Sequence, residues 1–304
     1  MGSLNTEVCV IGGVCVDTFA TARKTIIPED SNIGTTLQSF GGVGHNIACN
    51  LSKLGINVEL ICAFGNDDKG TQLIQHCQEE KIGLKYSLKS TKPTASYTSI
   101  NKPNGDIYIA IADMEVNEDL TVEYLSKYMD FINSCKIVVL ETNLRADSIK
   151  YLLENIKTKI FVDPVSQNKA IRLQGSLNSI KAIKPNLGEA EVLLESKGAP
   201  EELANDLIKQ GILEVYLTLG EKGAIGVNKD KVIKKPVYLD KVINTTGCGD
   251  AFMAGIIYGE LKGEDLTNKL NYGLSAATIC ARSIGSISEF LNEEEMKRVI
   301  RGNI

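Results

Sequence analysis

NTTGCGDAFMAG, residues 244–255, is a glycine-rich turn that runs directly into an apolar helical segment. Two glycines flank Cys248, and the periodicity predicts a helix over 248–261 with Asp250 in its first turn. The first backbone N–H groups of a helix have no partners within the helix, and the helix dipole places partial positive charge there. The stretch therefore predicts an anion site suited to phosphate oxygens.

Asp250 has two interpretations from this stretch alone. A carboxylate beside a phosphate site is electrostatically unfavourable unless it has a chemical role. Taking the proton from a hydroxyl that attacks phosphorus is such a role. An Asp that only stabilises the helix start through the dipole would give the same sequence, so both interpretations stay open at this point.

The rest of the chain alternates between strand-like and helix-like patterns, which predicts a central, mainly parallel sheet with helices on both faces. The predicted strands of this pattern are 8–11, 58–64, 136–141, 160–162, 180–183 and 215–219. Ligands of such sheets bind at the carboxyl ends of the strands. The residues that lie just after predicted strands or at helix starts are Asp17, Glu141, Asn186, Gly220 and Asp250.

One segment interrupts this alternation with an antiparallel pattern. Alternating runs at 97–101 and 107–111 flank an Asn-Gly turn, which is the strongest short signal for a hairpin. We expect segments at about 14–38 and 94–112 to form a small β-sheet lid on one domain that spans residues 1–304.

The composition excludes several classes of partner. The 304 residues are 43% hydrophobic and 23% charged, with a net charge of -5, and no basic run is long enough for nucleic acid. No apolar stretch reaches the length of a membrane span. We therefore expect a soluble, cytoplasmic protein without nucleic-acid or membrane partners.

The eight cysteines form no C-x-x-C pair, and most of them stand in apolar runs. They indicate buried thiols of a reducing compartment and no disulfide framework. Because His45 and His76 are the only histidines, we do not expect a zinc site built from Cys and His.

Common phosphate-binding motifs are missing from the sequence. Residues 65–71 have glycines at P-loop spacing but lack the lysine, and no G-x-G-x-x-G opens a helix after the first strand. The lysine, catalytic loop and D-F-G of protein kinases are also absent. A protein that moves phosphate with this sequence would use the helix start at 246–250.

Four motifs, in order along almost the whole chain, resemble those of the PfkB (ribokinase-like) carbohydrate and nucleoside kinases. Residues 41–48, with glycines at 55 and 65, resemble the first motif, and residues 244–255 resemble the second. Residues 186–189 resemble the family's N-x-x-E element, and residues 220–223 resemble its nucleotide-binding turn. The resemblance implies a ribokinase-like fold and transfer of phosphate from ATP to a nucleoside or sugar hydroxyl.

The resemblance also implies roles for residues on the phosphate side. Asp250 would be the general base, with the backbone N–H groups of Gly247, Cys248 and Gly249 stabilising charge on the transferred group. Glu189 would hold Mg²⁺ through water, and Asn186 would reach the phosphates. The same pair fits an N-cap with its capping-box Glu, and both interpretations can hold together. The turn expected to lie against the nucleotide consists of Thr218, Gly220 and Gly223, although a plain hairpin is equally consistent with it.

On the substrate side, the resemblance implies a ribose-binding set and weaker candidates around it. The ribose set is Asp17, Gly41, Gly42 and Asn46, where glycine lets the backbone approach the ring and the polar side chains contact its hydroxyls. The weaker candidates are Asn32, Thr94 and Asp113 for a base edge and Glu141 for the phosphate or metal region. A K⁺ site near Asn244 is doubtful because the family often has Asp there.

A finer resemblance, to a nucleoside kinase of the family, rests on residues 31–35, 42–46, 112–114 and 162–166. It predicts phosphorylation of a nucleoside 5′-hydroxyl. A ribokinase or another nucleoside or sugar kinase of the family is the alternative, and a binding protein that kept the fold but lost catalysis is the alternative of another class. The resemblance further implies a homodimer formed through the lid strands.

Overall fold

The computed structural model describes residues 6–238 and 242–302. The strands are β1 Val8–Ile11, β2 Cys15–Ala22, β3 Gly34–Gly41, β4 Val58–Ile61, β5 Ala63–Phe64, β6 Leu88–Lys89, β7 Ser96–Asn101, β8 Ile107–Asp113, β9 Ile137–Glu141, β10 Lys159–Asp163, β11 Ala182–Ile183, β12 Glu214–Thr218, β13 Ala224–Asn228 and β14 Val232–Lys235. The helices are α1 Val43–Lys53, α2 Asp68–Glu79, α3 Val122–Ser126, α4 Met129–Ser134, α5 Ala146–Asn155, α6 Gln167–Ala170, α7 Leu187–Leu194, α8 Pro200–Lys209, α9 Cys248–Leu261, α10 Leu266–Ala281 and α11 Glu293–Ile300.

The central sheet has eight strands in the order β14-β13-β12-β11-β10-β9-β1-β4. From β4 to β12 every pairing is parallel, and only β13 and β14 pair antiparallel at one edge. The predicted mainly parallel sheet is thus confirmed. The carboxyl ends of β1, β9, β10, β11 and β12 lie at one edge, where ligands of such sheets bind.

The parallel strands of the central sheet are buried on both faces, which explains their apolar sequences, whereas the edge strand β14 is partly exposed. Alternate residues enter different cores: Val8 and Val10 pack in one, and Cys9 and Ile11 pack in the other. The first core includes residues of α1, α2, α9, α10 and α11, and the second includes residues of α5, α7 and α8. Helices therefore cover both faces of the sheet, as the alternation predicts.

A separate four-stranded sheet has the order β3-β2-β7-β8. It contains the predicted hairpin, because β7 and β8 pair antiparallel across the Asn-Gly turn, and it joins β2 and β3 from the N-terminal region.

The predicted single strand at 58–64 is wrong in one respect. It divides at Cys62, since β4 pairs with β1 in the central sheet whereas β5 pairs with β6.

Two features place the start of α9 at the ligand-binding edge. Gly255 lies so close to α10 that a Cβ there would overlap the carbonyl oxygen of Tyr272, so glycine permits tight helix packing. The first turn of α9 lies beside α1, which follows β3, because Asn46 of α1 donates a hydrogen bond to Asp250. In the described part of the chain, no helix combines the length and the apolar character needed to cross a bilayer.

Candidate active site

Asp250 lies in the first turn of α9 and is buried beside the start of α1. Its Oδ2 accepts a hydrogen bond of 2.8 Å from Asn46 Nδ2. Burial and the negative charge of Asp163 raise the pKa of Asp250 to about 7, against the opposing effects of Asn46 and Lys184. A carboxylate with this pKa can accept a proton near neutral pH.

The turn before α9 is built on a left-handed residue, Gly247, with φ 82° and ψ -8°. A Cβ there would overlap the carbonyl oxygen of Ser286, so only glycine fits both the backbone and the space. Among the described residues, the N–H groups of Gly247 and Gly249 have no hydrogen-bond partner. The N–H of Cys248, in contrast, donates to Thr245 O at 3.3 Å, so it is not a free donor as the sequence suggested.

Three buried carboxylates and one buried lysine lie next to this turn. Lys184 Nζ is 3.1 Å from Asp163 Oδ2, and a Cβ on Gly249 would lie 3.2 Å from the same nitrogen. Burial lowers the pKa of Lys184, but the carboxylates of Asp163, Glu189 and Asp250 outweigh that effect and leave the pKa raised. The cluster thus sets one positive charge against three carboxyl groups.

Asn186 and Glu189 form the predicted capping box at the start of α7. Asn186 Oδ1 accepts from Glu189 N–H at 2.9 Å, and Glu189 Oε2 accepts from Asn186 N–H at 2.9 Å. Burial raises the pKa of Glu189, with Asp163 adding to the effect. Both side chains also line a cavity of about 380 Å³ together with residues 165–168, so the structural role does not remove them from the site.

The end of β12 runs beside this cavity. Thr218 N–H donates to Pro185 O at 2.9 Å, and Thr218 bridges to Asn186 as in a parallel sheet. Gly220 and Gly223 follow with φ of 59° and 92°, which forms a tight left-handed turn that favours glycine. The structure therefore brings the predicted nucleotide turn to the Asn186 side of the site.

A larger cavity of about 720 Å³ lies between the four-stranded sheet and the start of α9. Asp17, Gly42, Asn46, Gly247 and Asp250 all line it. Burial raises the pKa of Asp17, whose Oδ1 accepts from Cys15 Sγ at 3.1 Å.

Glycine is required on the Asp17 side of this cavity as well. A Cβ on Gly41 would overlap Asp17 Oδ2, and Gly42 adopts a φ of 98° against the backbone of Gly13. Predicted substrate and catalytic residues therefore meet in one chamber.

Glu141 stands behind this chamber. It is fully buried, and its oxygens accept from Gly13 N–H and from the N–H and side-chain amide of Asn143. Burial raises its pKa to about 7. Because Gly13 and Asn143 line the cavity and Glu141 does not, Glu141 positions the wall without forming it.

Three predicted base contacts are not brought to the cavity. Asn32 is exposed and its amide bonds Ile27 O and Asp30 O within a loop. Thr94 is buried, where its N–H and hydroxyl donate to Asp67 at the N-terminus of α2. Asp113 is exposed and caps a local turn through Glu115 N–H at 3.3 Å. None of the three lines the larger cavity in this structure, so their contact with a base stays a prediction.

Sequence reasoning missed the buried Asp163–Lys184 pair and the cavity-lining Lys169. Lys169 Nζ donates to Asn143 Oδ1, and both side chains line the larger cavity. The available signal was position, because Asp163 and Lys184 each follow a predicted strand at the same edge of the sheet.

Asn244, near the doubtful cation site, donates to Ile284 O and accepts from Thr246 N–H, which commits both ends of its amide to the loop.

Comparison with known proteins finds a matching family and relatives that match most of this chain. The model of the pfkB family carbohydrate kinases matches residues 5–293. The chain is 32% identical over 257 residues to the pseudouridine kinase of Escherichia coli strain K12, which covers 82% of each protein. It is 22% identical to the ribokinase of Bacillus subtilis strain 168, over 97% of this chain and 99% of the relative.

Solved structures share the fold over the same length. A carbohydrate kinase from Agrobacterium tumefaciens superposes with a TM-score of 0.86 at 24% identity and covers 97% of each chain. An Arabidopsis thaliana ribokinase, complexed with ribose and ATP, superposes with a TM-score of 0.85 at 19% identity, over 98% of this chain and 99% of the other. At these identities the likeness is one of fold, and it confirms the ribokinase-like architecture.

Proposed function

Because the chain belongs to the pfkB family of carbohydrate kinases, we propose that it uses ATP to phosphorylate the 5′-hydroxyl of pseudouridine. The observation that carries this proposal is the buried Asp250 at the wall of the 720 Å³ cavity, beside the unpartnered N–H groups of the described α9 start. A proton acceptor next to an anion site is what phosphoryl transfer to an alcohol requires.

The choice of pseudouridine within the family rests on sequence. Residues 31–35, 42–46, 112–114 and 162–166 resemble pseudouridine kinases, and one such enzyme is 32% identical to this chain. The chain departs from those enzymes at Ile33, His45 and Cys248, where Pro, Arg and Ala are usual. Neither His45 nor Cys248 lines the larger cavity. Two of the three departures therefore lie away from the substrate's contacts.

The ribose would lie against Asp17 and Asn46, with its 5′-hydroxyl towards Asp250. Asp250 takes the hydroxyl proton as the oxygen attacks the γ-phosphorus, the bond from that phosphorus to the bridging oxygen breaks, and ADP leaves with the electron pair. The N–H groups of Gly247 and Gly249 stabilise charge on the transferred group. Asn46 also fixes the orientation of Asp250 through its 2.8 Å hydrogen bond. One amide thus connects substrate binding to the general base.

Two other polar side chains are better placed for the base than the three predicted from sequence. Ser99 Oγ and Asn101 Oδ1 are buried, line the cavity and have no hydrogen-bond partner among the described residues. Buried polar atoms without partners are costly, so a ligand that bonds them is favoured. The donors and acceptors on the edge of a uracil ring fit these atoms.

The phosphate side fits ATP and Mg²⁺. Glu189 and Asn186 line the smaller cavity. The carboxyl groups around Lys184 outnumber its single positive charge, so their negative charge favours a hydrated divalent cation there. Mg²⁺, when bound, neutralises charge on the phosphates. The turn from Thr218 to Gly223 would place backbone against the nucleotide.

A substrate panel tests the proposal directly. ADP release is measured with pseudouridine, uridine, ribose and fructose, and we expect the highest kcat/KM with pseudouridine. Faster turnover of ribose would replace the proposal by a ribokinase activity. Tight binding of pseudouridine in calorimetry, without ADP release, would instead indicate a binding protein that retains the fold.

Asn101→Ala should reduce the preference for pseudouridine over ribose by roughly fivefold, because one hydrogen bond to the base is worth about 1 kcal/mol. The measured quantity is the ratio of the two kcat/KM values. Asn104→Ala, in the exposed hairpin turn, is the matched control and should leave the ratio unchanged. An unchanged ratio in Asn101→Ala would exclude Asn101 as a base contact.

Asn46→Ala should move the acidic limb of the kcat–pH profile to higher pH. The hydrogen bond from Asn46 lowers the pKa of Asp250 from the value that burial alone would set. Its loss raises that pKa, so the base stays protonated to higher pH. Asn50→Ala is the control, since Asn50 bonds Asn46 O and does not touch Asp250. A limb that stays in place or moves to lower pH contradicts this role.

We further propose that the four-stranded sheet acts as a lid and as a dimer interface. Its outer face exposes Ile109 at 52% and Ile111 at 70%, beside Ile100 at 42%. Burial of this apolar patch against a second copy would remove it from water.

Ile109→Lys should give a monomer in sedimentation, whereas Leu213→Lys, an exposed apolar position elsewhere, should not. A wild-type monomer at micromolar concentration would contradict the interface.

A further inference from the structure

The only two histidines of the sequence meet in space, together with one cysteine. His45 and Cys49 lie one turn apart on α1, and His76 reaches them from α2. One ligand atom from each of the three residues lies within 4.8 Å of the other two, and no other such cluster of three exists in the residues the structure describes. His45 Nε2 is 3.4 Å from Cys49 Sγ.

From this arrangement we propose that His45, Cys49 and His76 form a binding site for a soft divalent cation, of which Zn²⁺ is the best fit. Two imidazoles and a thiolate are typical Zn²⁺ ligands, and tetrahedral ligands around Zn²⁺ lie roughly 3.3–3.8 Å apart. The present nitrogen–sulfur separation already meets that requirement. Water from solvent would complete the coordination, since His76 is only partly buried.

The protonation states of the two imidazoles suit a metal, whereas the thiol must lose its proton to bind one. Burial lowers the pKa of His45 to about 4 and also lowers the pKa of His76, so both rings are neutral and offer a lone pair. Burial raises the pKa of the Cys49 thiol. Binding of the cation therefore releases the thiol proton to solvent as the metal–sulfur bond forms.

The second ring nitrogen of His45 is already held in the way that metal-binding histidines require. His45 Nδ1 lies 3.1 Å from Asn46 Oδ1, so an Nδ1–H donor leaves Nε2 free for the cation. Phe40 stacks on His76 at 4.8 Å and fixes that ring from the other side. The carboxylate of Glu80 is paired with Lys53 at 3.1 Å. Its negative charge raises the pKa of His45, Cys49 and His76 and would offset the positive charge of a bound cation.

The site is chemically distinct from the proposed Mg²⁺ position. Glu189 and its neighbours offer oxygen ligands, which Mg²⁺ prefers, whereas imidazole and thiolate select softer metals. The two sites are nevertheless connected, because Asn46 accepts from His45 and donates to Asp250. A cation on His45 would therefore sit two hydrogen bonds away from the general base.

Cobalt substitution tests the site without nucleoside or nucleotide, so its result does not depend on the proposed kinase activity. CoCl₂ is titrated into the metal-free full-length protein with excess MgCl₂ present. We expect one equivalent of Co²⁺ to produce a thiolate-to-cobalt absorption band, and one equivalent of ZnSO₄ to remove it. Absence of the band in the wild-type protein overturns the proposal, whatever the variants do.

Variants then define the ligands. Cys49→Ser should abolish the band, and His76→Gln should weaken binding by roughly 100-fold or more, since even outer partners of a metal ligand contribute about 10- to 100-fold. Cys77→Ser is the matched control, because Cys77 is also buried and adjacent to His76 but lies outside the cluster. A band that survives Cys49→Ser, or one that Cys77→Ser removes, overturns the assignment. Circular dichroism confirms that each variant is folded.

Discussion

Asp250→Asn is expected to lower kcat by about 10²- to 10⁴-fold, the usual contribution of a general base. The KM for nucleoside should change little, because Asn keeps the size of Asp250 and can still accept the hydrogen bond from Asn46. The measurement is steady-state kinetics with pseudouridine and ATP, with the two parameters separated.

Asp17→Asn is the matched control for this variant. Asp17 is also a cavity carboxyl with a pKa raised by burial, but it lies on the sheet opposite α9. Its replacement should raise KM more than it lowers kcat. Equal effects of the two variants on kcat, or a fully active Asp250→Asn enzyme, would remove Asp250 from the mechanism.

A related prediction concerns the dependence of kcat on pH in the wild-type protein. Since burial raises the pKa of Asp250 to about 7, kcat should fall as pH drops below neutrality and the base becomes protonated. In Asp250→Asn this acidic limb should disappear, while the remaining activity stays small.

Gly247→Ala is expected to lower kcat by roughly 10²-fold or more, the effect of losing one preorganised donor to developing charge. The left-handed backbone costs an L-residue about 1–2 kcal/mol, and the added Cβ would also overlap Ser286 O. The turn must move to relieve the overlap, and the N–H groups of Gly247 and Gly249 move with it. Kinetics and urea unfolding measure the two effects.

Gly263→Ala separates conformational strain from displacement of the turn. Gly263 has a similar φ of 75°, but a Cβ there meets nothing within 4 Å. This control should lose about 1 kcal/mol of unfolding free energy and keep its kcat. If Gly247→Ala behaves like Gly263→Ala in both assays, the anion site does not depend on the geometry of the turn.

Local sequence patterns were sufficient to predict the architecture and the part of the site that the start of α9 forms. The apolar runs of β1, β9 and β10 and the glycine-rich start of α9 each encode their own conformation, so they could be predicted without tertiary information. The strand at 58–64 was only partly right because its division at Cys62 depends on which neighbour each half pairs with.

Side-chain direction was the part that sequence could not provide. Thr94 and Asp113 stand on or beside the predicted sheet segments, but which way they point depends on Asp67 and on a local turn. The Asp163–Lys184 pair joins the ends of two strands, and its proximity follows only from strand order. The meeting of His45, Cys49 and His76 was also beyond the sequence, since two histidines separated by 31 residues gave no sign that their helices pack together.

The bond between Asn46 and Asp250 spans 204 residues of sequence. The ribosome synthesises α1 long before α9. The strands of the central sheet are therefore made before Asp250 is added to the chain. A chain that stalls before residue 250 would therefore lack both the proposed general base and the helices α9, α10 and α11, which cover one face of the central sheet.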